Sequence, residues 1–126
     1  MNNQEVVEAF EKLRYQVSLL GEAIDHESHP VESLVISMDW SRSDLNKAHD
    51  IFEKWEKQLE QGKVMSSAEF EADFNDELGI SYQGVKSIIL AFYRNGQWTD
   101  VCEAYVDSFG GSPALEYHSI MRRERR

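Results

Sequence analysis

The sequence predicts an all-α protein, a multihelical bundle of five to six helices. Apolar residues recur at intervals of three and four along most of the chain, the spacing that gives a helix one apolar face. Serine, which caps helix N-termini well, precedes several of these segments. The only prolines are Pro30 and Pro113, so long stretches are free to be helical. No segment shows the alternation of a strand.

The first predicted helix covers residues 5–26. Its apolar residues stand 4, 3, 4, 3 and 4 positions apart, and we call them the apolar seam: Val6, Phe10, Leu13, Val17, Leu20 and Ile24. This spacing places all six on one face. Because the seam covers fewer than three heptads, a free coiled coil is not indicated. We expect a core helix of the bundle. The alternative is that part of the seam pairs with a second subunit.

Two more helices are predicted in the first half of the chain. Pro30 suits the first position of a short second helix. The third helix begins near Ser41, where Ser41-x-x-Asp44 resembles a capping box, and Gly62 follows its last turn. Its apolar face consists of Leu45, Ala48, Phe52, Trp55 and Leu59.

Three helices are predicted in the second half. The residues expected to cap and to end them are, in chain order, Ser66 and Gly79, Ser81 and Gly96, and Thr99 and Gly110. The fifth helix has the widest apolar face, so we expect it near the centre. The core prediction names Phe52, Trp55, Ile89 and Phe92.

One domain with a C-terminal extension is predicted. Residues 1–111 form the helical bundle domain, and residues 112–126 form a C-terminal extension with an arginine-rich tail. Ser112 followed by Pro113 is a typical helix start, which favours a short helix over residues 113–123.

Charge is unevenly distributed. The chain has 13 basic and 23 acidic residues, a net charge of −10. Residues 122–126 hold four arginines and one glutamate, so the other 121 residues hold 9 basic and 22 acidic residues, a net charge of −13. Such a body repels phosphate backbones, so direct nucleic-acid binding is not expected. A protein partner with a basic surface is favoured instead.

The compartment prediction is cytoplasmic. Cys102 is the sole cysteine, so no internal disulfide can form and a reducing environment fits. The N-terminus lacks the pattern of a signal peptide, and no apolar run approaches the length of a membrane span. We therefore expect no membrane association.

Three parts of the chain, between Phe10 and Phe109, show a family resemblance. They are FEKLRYQVSLL at residues 10–20, His29-Pro30, and the second-half residues Leu78, Ile89, Ala91, Phe92, Tyr93 and Gly96. With them the chain resembles the YhaI-like family, small helical proteins of unknown function from Bacillus and related bacteria. The resemblance implies an all-α, self-associating protein. It implies no site residues, because the matching positions are core and turn positions.

The densest polar cluster is Asp25, His26, Glu27 and His29. Carboxylates and imidazoles bind metals, and His26 and His29 are the weak metal-ligand candidates. The spacing is not that of a metalloprotease, and residues of an exposed turn are the more common explanation. We expect no metal site, no cofactor and no catalytic residue. Cys102 lies between apolar residues and is predicted to be buried.

Partner-binding candidates lie on the fourth helix and beside the Asn95-Gly96 turn: Glu69, Glu71, Asp73, Asp76, Glu77 and Trp98. The acidic residues are expected to be exposed, either as a solvated face or as a docking patch for a basic protein. Trp98 has the residue type of a binding hot spot, although core packing is the more frequent role.

The functional prediction is a non-enzymatic regulatory or adaptor protein acting through protein–protein binding. A narrower form is a phage- or prophage-encoded modulator that blocks a nucleic-acid-binding host protein or toxin with its acidic surface. The first alternative is a small metal-binding or hydrolytic protein centred on Asp25, His26, Glu27 and His29. The second is a structural homo-oligomer.

Overall fold

The computed structural model describes residues 2–110 together with Tyr117 and Ile120. Within them lie six helices and no strand, so the all-α prediction is confirmed. In chain order the helices are α1 (Asn3–Ala23), α2 (Pro30–Ser37), α3 (Arg42–Glu60), α4 (Ser67–Leu78), α5 (Tyr82–Arg94) and α6 (Thr99–Asp107).

Local capping sets most of these boundaries as predicted. At the start of α3, Ser41 Oγ accepts a hydrogen bond from the Asp44 N–H at 3.2 Å, and Asp44 Oδ2 accepts one from the Ser41 N–H at 2.9 Å. The bond from the Ser41 backbone lowers the pKa of the Asp44 carboxyl. Gly79 ends α4 with a φ of 65°, in the left-handed region that glycine adopts at low cost.

The start of α6 differs from the prediction. Thr99 is the first helical residue, and the N-cap position belongs to Trp98, whose φ is 55°. Trp98 makes no side-chain capping hydrogen bond. Its indole instead stacks on Phe52, with 6.0 Å between ring centroids. Packing of the indole against the core therefore accompanies an unusual backbone conformation for a bulky residue.

An aromatic core joins α3, α4, α5 and α6. Phe52 is fully buried, and its ring lies 5.0–5.8 Å from those of Phe70, Phe74 and Phe92. Trp55 and Ile89 are also buried, so all four residues of the core prediction are confirmed. α2 packs on α5 and contributes Leu34.

The first helix does not join this core, and the prediction of a core helix is wrong. α1 contains no buried residue. Its main contact is with α2, near its C-terminal end, where Gly21 faces Ile36. A Cβ at position 21 would lie 2.7 Å from Cγ2 of Ile36, so the missing side chain allows the two helices to approach. Four of the six seam residues are exposed, namely Phe10, Leu13, Val17 and Leu20, whereas Val6 and Ile24 are half-buried.

Two residues beyond Gly111 belong to the core. Tyr117 and Ile120 are both fully buried, and the Tyr117 ring lies edge-on to Tyr105 at 5.8 Å. The core thus includes side chains from the segment predicted to be an extension. The predicted boundary at residue 111 stays a prediction. The helix predicted over residues 113–123 and the arginine tail lie otherwise outside the described residues.

Candidate functional site

The apolar face of α1 is the most unusual surface among the described residues. Phe10 is 67% exposed, Leu20 65% and Leu13 56%. Exposed apolar residues occur singly on most proteins, but a contiguous patch of several large ones marks an interaction site. Along this helix the full set of exposed large hydrophobic residues is Val7, Phe10, Leu13, Tyr15, Val17, Leu19 and Leu20.

The sequence explains why this face is helical and apolar at once. Asn2 caps the helix, its Oδ1 accepting a hydrogen bond from the Glu5 N–H at 2.8 Å. At about 100° per residue, the seam falls within a narrow stripe along the helix. The acidic residues of α1 lie on the other faces, about 100° or more from the centre of the stripe: Glu5, Glu8, Glu11 and Glu22.

The residues flanking the seam are mostly uncharged. Ala9 and Gln16 border one side, and Val7 and Arg14 border the other. Arg14 is thus the single charge among these four neighbours. In a protein of net charge −10, this face is an apolar surface from which acidic groups are excluded. It is therefore suited to contact with another apolar helix face and not to an ionic ligand.

Two of the five acidic residues of the predicted patch, Glu71 and Asp73, bind side chains of the bundle itself. Glu71 accepts a hydrogen bond from the Tyr105 hydroxyl at 2.6 Å. Asp73 accepts one from Trp55 Nε1 at 2.8 Å and pairs with Lys54 at 2.7 Å. Both carboxylates are half-buried, so the expectation that they are exposed is wrong. Their role is to satisfy the polar atoms of buried aromatic residues.

The remaining acidic candidates of α4 are exposed, as predicted. Glu69 lies near Lys63, with 3.3 Å between the charged atoms. Asp76 and Glu77 are exposed, and Glu77 borders an open groove that Lys47 also lines. Helical spacing alone cannot separate these outward carboxylates from Glu71 and Asp73, because the difference depends on which aromatic residues pack beneath the helix.

Trp98 lies partly within the packed structure. Its Nε1 donates a hydrogen bond to Nδ1 of His49 at 3.2 Å, and its ring stacks on Phe52. The side chain is half-buried, so only part of it is available to a partner. Core packing, the alternative role considered from the sequence, accounts for its main contacts.

The segment from Asp25 to His29 forms an exposed turn. Asp25 accepts hydrogen bonds from Ser28 Oγ at 2.9 Å and from the Glu27 N–H at 3.0 Å. The Ser28 bond is the main reason that the pKa of Asp25 is lowered. His29 occupies the N-cap position of α2, and His26 borders an open groove of about 210 Å³ that Arg94 also lines.

Three further features bear on chemistry. Within the described part of the chain, no three histidine, cysteine, aspartate or glutamate side chains meet in a way that could hold a metal ion. Cys102 is fully buried, and burial raises the pKa of its thiol to about 12, which suppresses the reactive thiolate. None of the described helices combines the length and the apolar character needed to cross a membrane.

Comparison with known proteins identifies the family but no activity. A search of the curated proteins found no match, and neither did a search of the solved structures. One family model, described as a protein of unknown function (DUF1878), matches residues 3–109. This match covers α1 through α6, the exposed seam included. The chain therefore belongs to the DUF1878 family of proteins of unknown function.

Proposed function

We propose that this is a non-enzymatic adaptor protein that acts by binding protein through the apolar seam of α1. The observation that supports this is the exposure of Phe10, Leu13 and Leu20 on one helix face. Burying each such side chain against a partner contributes on the order of 1 kcal/mol or more, since full burial is worth about 1.5–3 kcal/mol. A row of them supplies enough affinity for a specific complex.

The shape of the face favours a helical partner. The 4-3 spacing of the seam is the pattern by which side chains of one helix fill the spaces between side chains of another. No residue of α1 is buried and four seam residues are exposed, so a second helix has access to this face. Recognition of one amphipathic helix by another is a common mode of protein–protein binding.

The acidic surface has a secondary place in the proposal. Two of its five α4 residues, Glu71 and Asp73, already bind within the chain. Glu69, Asp76 and Glu77 are exposed, and although Lys63 pairs with Glu69, the three carboxylates contribute to the long-range attraction of a basic partner. The phage-encoded modulator that blocks a nucleic-acid-binding protein is the narrower form of this proposal and depends on these three residues. The kinship with YhaI-like proteins of Bacillus and the cytoplasmic compartment stay predictions.

A capture experiment with matched variants tests the proposal. Phe10→Glu places a charge in the seam, whereas Tyr15→Glu places the same charge on the opposite face of the same helix, at a residue that is 64% exposed. The wild-type chain and both variants are immobilised and incubated with a cell lysate, and the captured proteins are quantified by mass spectrometry. We expect proteins that bind the wild type and Tyr15→Glu but are depleted on Phe10→Glu. Equal capture of other proteins by all three would refute the binding of a different protein through the seam.

A further inference from the structure

We propose that the partner of the apolar seam is a second copy of this chain, bound antiparallel in a two-fold symmetric pair of α1 helices. The inference rests on the proposed function, because it names the occupant of the same face. It commits to one arrangement of the two helices, and that arrangement follows from the seam and from the position of α1 relative to the bundle.

The seam is complementary to its own reverse. When two α1 helices run in opposite directions, with the two-fold axis crossing the seam at the height of residue 15, Phe10 of one copy faces Leu20 of the other and Leu13 faces Val17. The Tyr15 side chain lies at that height but on the opposite face of the helix. The four exposed seam residues therefore each meet another exposed seam residue, whereas Val6 and Ile24 are half-buried and Ile24 is the C-cap beyond the last residue of α1. A two-fold interface requires this self-complementarity, because the same patch must serve both sides.

The charge distribution favours the antiparallel over the parallel direction. The contact of Gly21 with Ile36 places the bundle near the C-terminal end of α1. A parallel pair would bring two bundles of an acidic chain together at one end. An antiparallel pair separates the two Gly21 attachment points by roughly 12 residues along the helix axis, which is about 18 Å at 1.5 Å per residue. That distance exceeds the Debye length of about 8 Å at physiological ionic strength, so the repulsion is largely screened.

The residues that border the seam cause little charge repulsion between the two copies. Gln16 faces Gln16 of the other copy on one side of the axis. Arg14 faces Arg14 on the other side, and this is the one like-charge pair that the arrangement creates. Glu11 stands three residues before Arg14 on the same helix, within reach of its guanidinium group. Raising the salt concentration screens the remaining repulsion, so the pair should tighten with salt.

The amount of exposed apolar surface fits a dimer. A stable interface buries at least about 1,000 Å² in total, or about 500 Å² from each partner. The largest contiguous apolar patch on a monomeric protein is typically about 300–600 Å² and often marks an interaction site. Five of the seven exposed hydrophobic residues of α1 lie on the seam or directly beside it and form one apolar face: Val7, Phe10, Leu13, Val17 and Leu20, each 47–67% exposed.

Sedimentation velocity of the full chain, from 1 to 300 µM, is the first test. We expect a mass near twice the monomer mass of 14.6 kDa, and tighter association at 0.5 M than at 0.05 M salt. Phe10→Glu should weaken the dimer at least 100-fold, whereas Tyr15→Glu should match the wild type. Far-UV circular dichroism confirms that each variant is folded.

Cysteine crosslinking tests the direction of the helices. Cys102 is fully buried, so it does not compete for an added thiol. In the antiparallel pair Leu13→Cys meets position 17 of the other copy, so a mixture of Leu13→Cys and Val17→Cys chains should form a disulfide dimer on oxidation. Either variant alone should crosslink at least tenfold less. In a parallel pair each position meets itself, and each variant alone would crosslink.

The outcomes separate this inference from the proposed function. A wild type that stays monomeric at 300 µM, a trimer or larger assembly, or crosslinking of either variant alone as strongly as the mixture overturns the antiparallel dimer. None of these results changes the capture experiment, in which a protein that is lost on Phe10→Glu still supports binding through the seam. A dimer that is insensitive to Phe10→Glu overturns the inference as well, because its interface must then lie elsewhere.

Discussion

α1 and α3 are similar in length and in apolar spacing, but they have opposite surroundings. α1 has 21 residues and α3 has 19, and both place apolar residues three and four positions apart. In α3, Ala48, Phe52 and Trp55 are buried against α4 and α6. In α1 no residue is buried. Apolar spacing therefore defines which face a helix will bury, but not whether its own chain covers that face.

The chemistry of the two faces matches their surroundings. The face of α3 has aromatic rings that interlock with those of neighbouring helices, and Phe52 alone lies near four other aromatic rings. The seam of α1 is mainly aliphatic, with Phe10 as its one ring. An aliphatic seam with regular spacing is typical of helix pairs, whereas the aromatic cluster fills an irregular space between several helices.

The largest difference in stability is expected between alanine variants of a phenylalanine in the bundle core and of one in α1. Phe92 is fully buried, so Phe92→Ala should lower the free energy of unfolding by about 3–5 kcal/mol. Phe10 is 67% exposed, so Phe10→Ala should change it by less than about 0.5 kcal/mol in the monomer. Urea unfolding at low micromolar protein concentration measures both. Equal losses would show that α1 belongs to the cooperative core.

The sequence predicts much of the fold because its signals are local. Ser41 and Ser66 mark helix starts through capping bonds that involve only the next few residues, and Gly79 marks an end through its own backbone conformation. The exposure of the seam was not predictable in this way. It depends on whether a helix distant in the sequence packs against α1. Periodicity cannot show this, because a buried amphipathic helix and an exposed one have the same apolar spacing.

The candidate site was predicted only in part, for a related reason. The sequence identified the seam and a second subunit as one alternative, but it favoured the acidic residues of α4 as the docking surface. Glu71 and Asp73 differ from Asp76 because Tyr105 and Trp55 reach them, 34 and 18 residues away in the chain. Such pairings follow from tertiary packing and have no signal in the local sequence.

A second pair of variants tests the division within α4. Asp73→Ala should lower the free energy of unfolding by about 1.5–3 kcal/mol, because it leaves the Nε1–H of the buried Trp55 without its carboxylate acceptor. Asp76→Ala, on the exposed side of the same helix, should change it by less than about 0.5 kcal/mol. Thermal unfolding of both variants provides the comparison. A harmless Asp73→Ala would return this residue to the list of candidate docking residues.

Tyr105 in the core and Tyr15 on α1 should differ by a smaller amount, in how the free energy of unfolding depends on pH. Burial, together with the hydrogen bond to Glu71, raises the pKa of Tyr105 above its ordinary value of 10. The unfolded chain then loses this proton first, so the contribution of Tyr105 to stability is complete below pH 10 and declines by up to about 1.4 kcal/mol per pH unit above it.

Tyr105→Phe should therefore cost about 1 kcal/mol at pH 8 and show a shallower loss of stability between pH 9.5 and 11. Urea unfolding across this range measures the slope. Tyr15→Phe, at an exposed position of α1, should keep the wild-type slope. Identical slopes for the wild type and both variants would contradict the burial of the Tyr105 hydroxyl in the bundle.

The smallest change in the free energy of unfolding is expected where α1 contacts α2, at Gly21 and Ile36. Gly21→Ala adds a methyl group 2.7 Å from Ile36 Cγ2, a branch close to the backbone that cannot easily move aside. The clash offsets the gain of about 0.8–1 kcal/mol that alanine brings to a helix interior. In the background Ile36→Ala the obstructing branch is gone, so the same Gly21→Ala change should be stabilising.

A double-mutant cycle, measured by urea unfolding of the monomer, should give a coupling energy of about 1 kcal/mol. A coupling near zero would mean that α1 and α2 are not held together here. The direction of α1, on which the separation of the two acidic bundles depends, would then not be fixed by this contact.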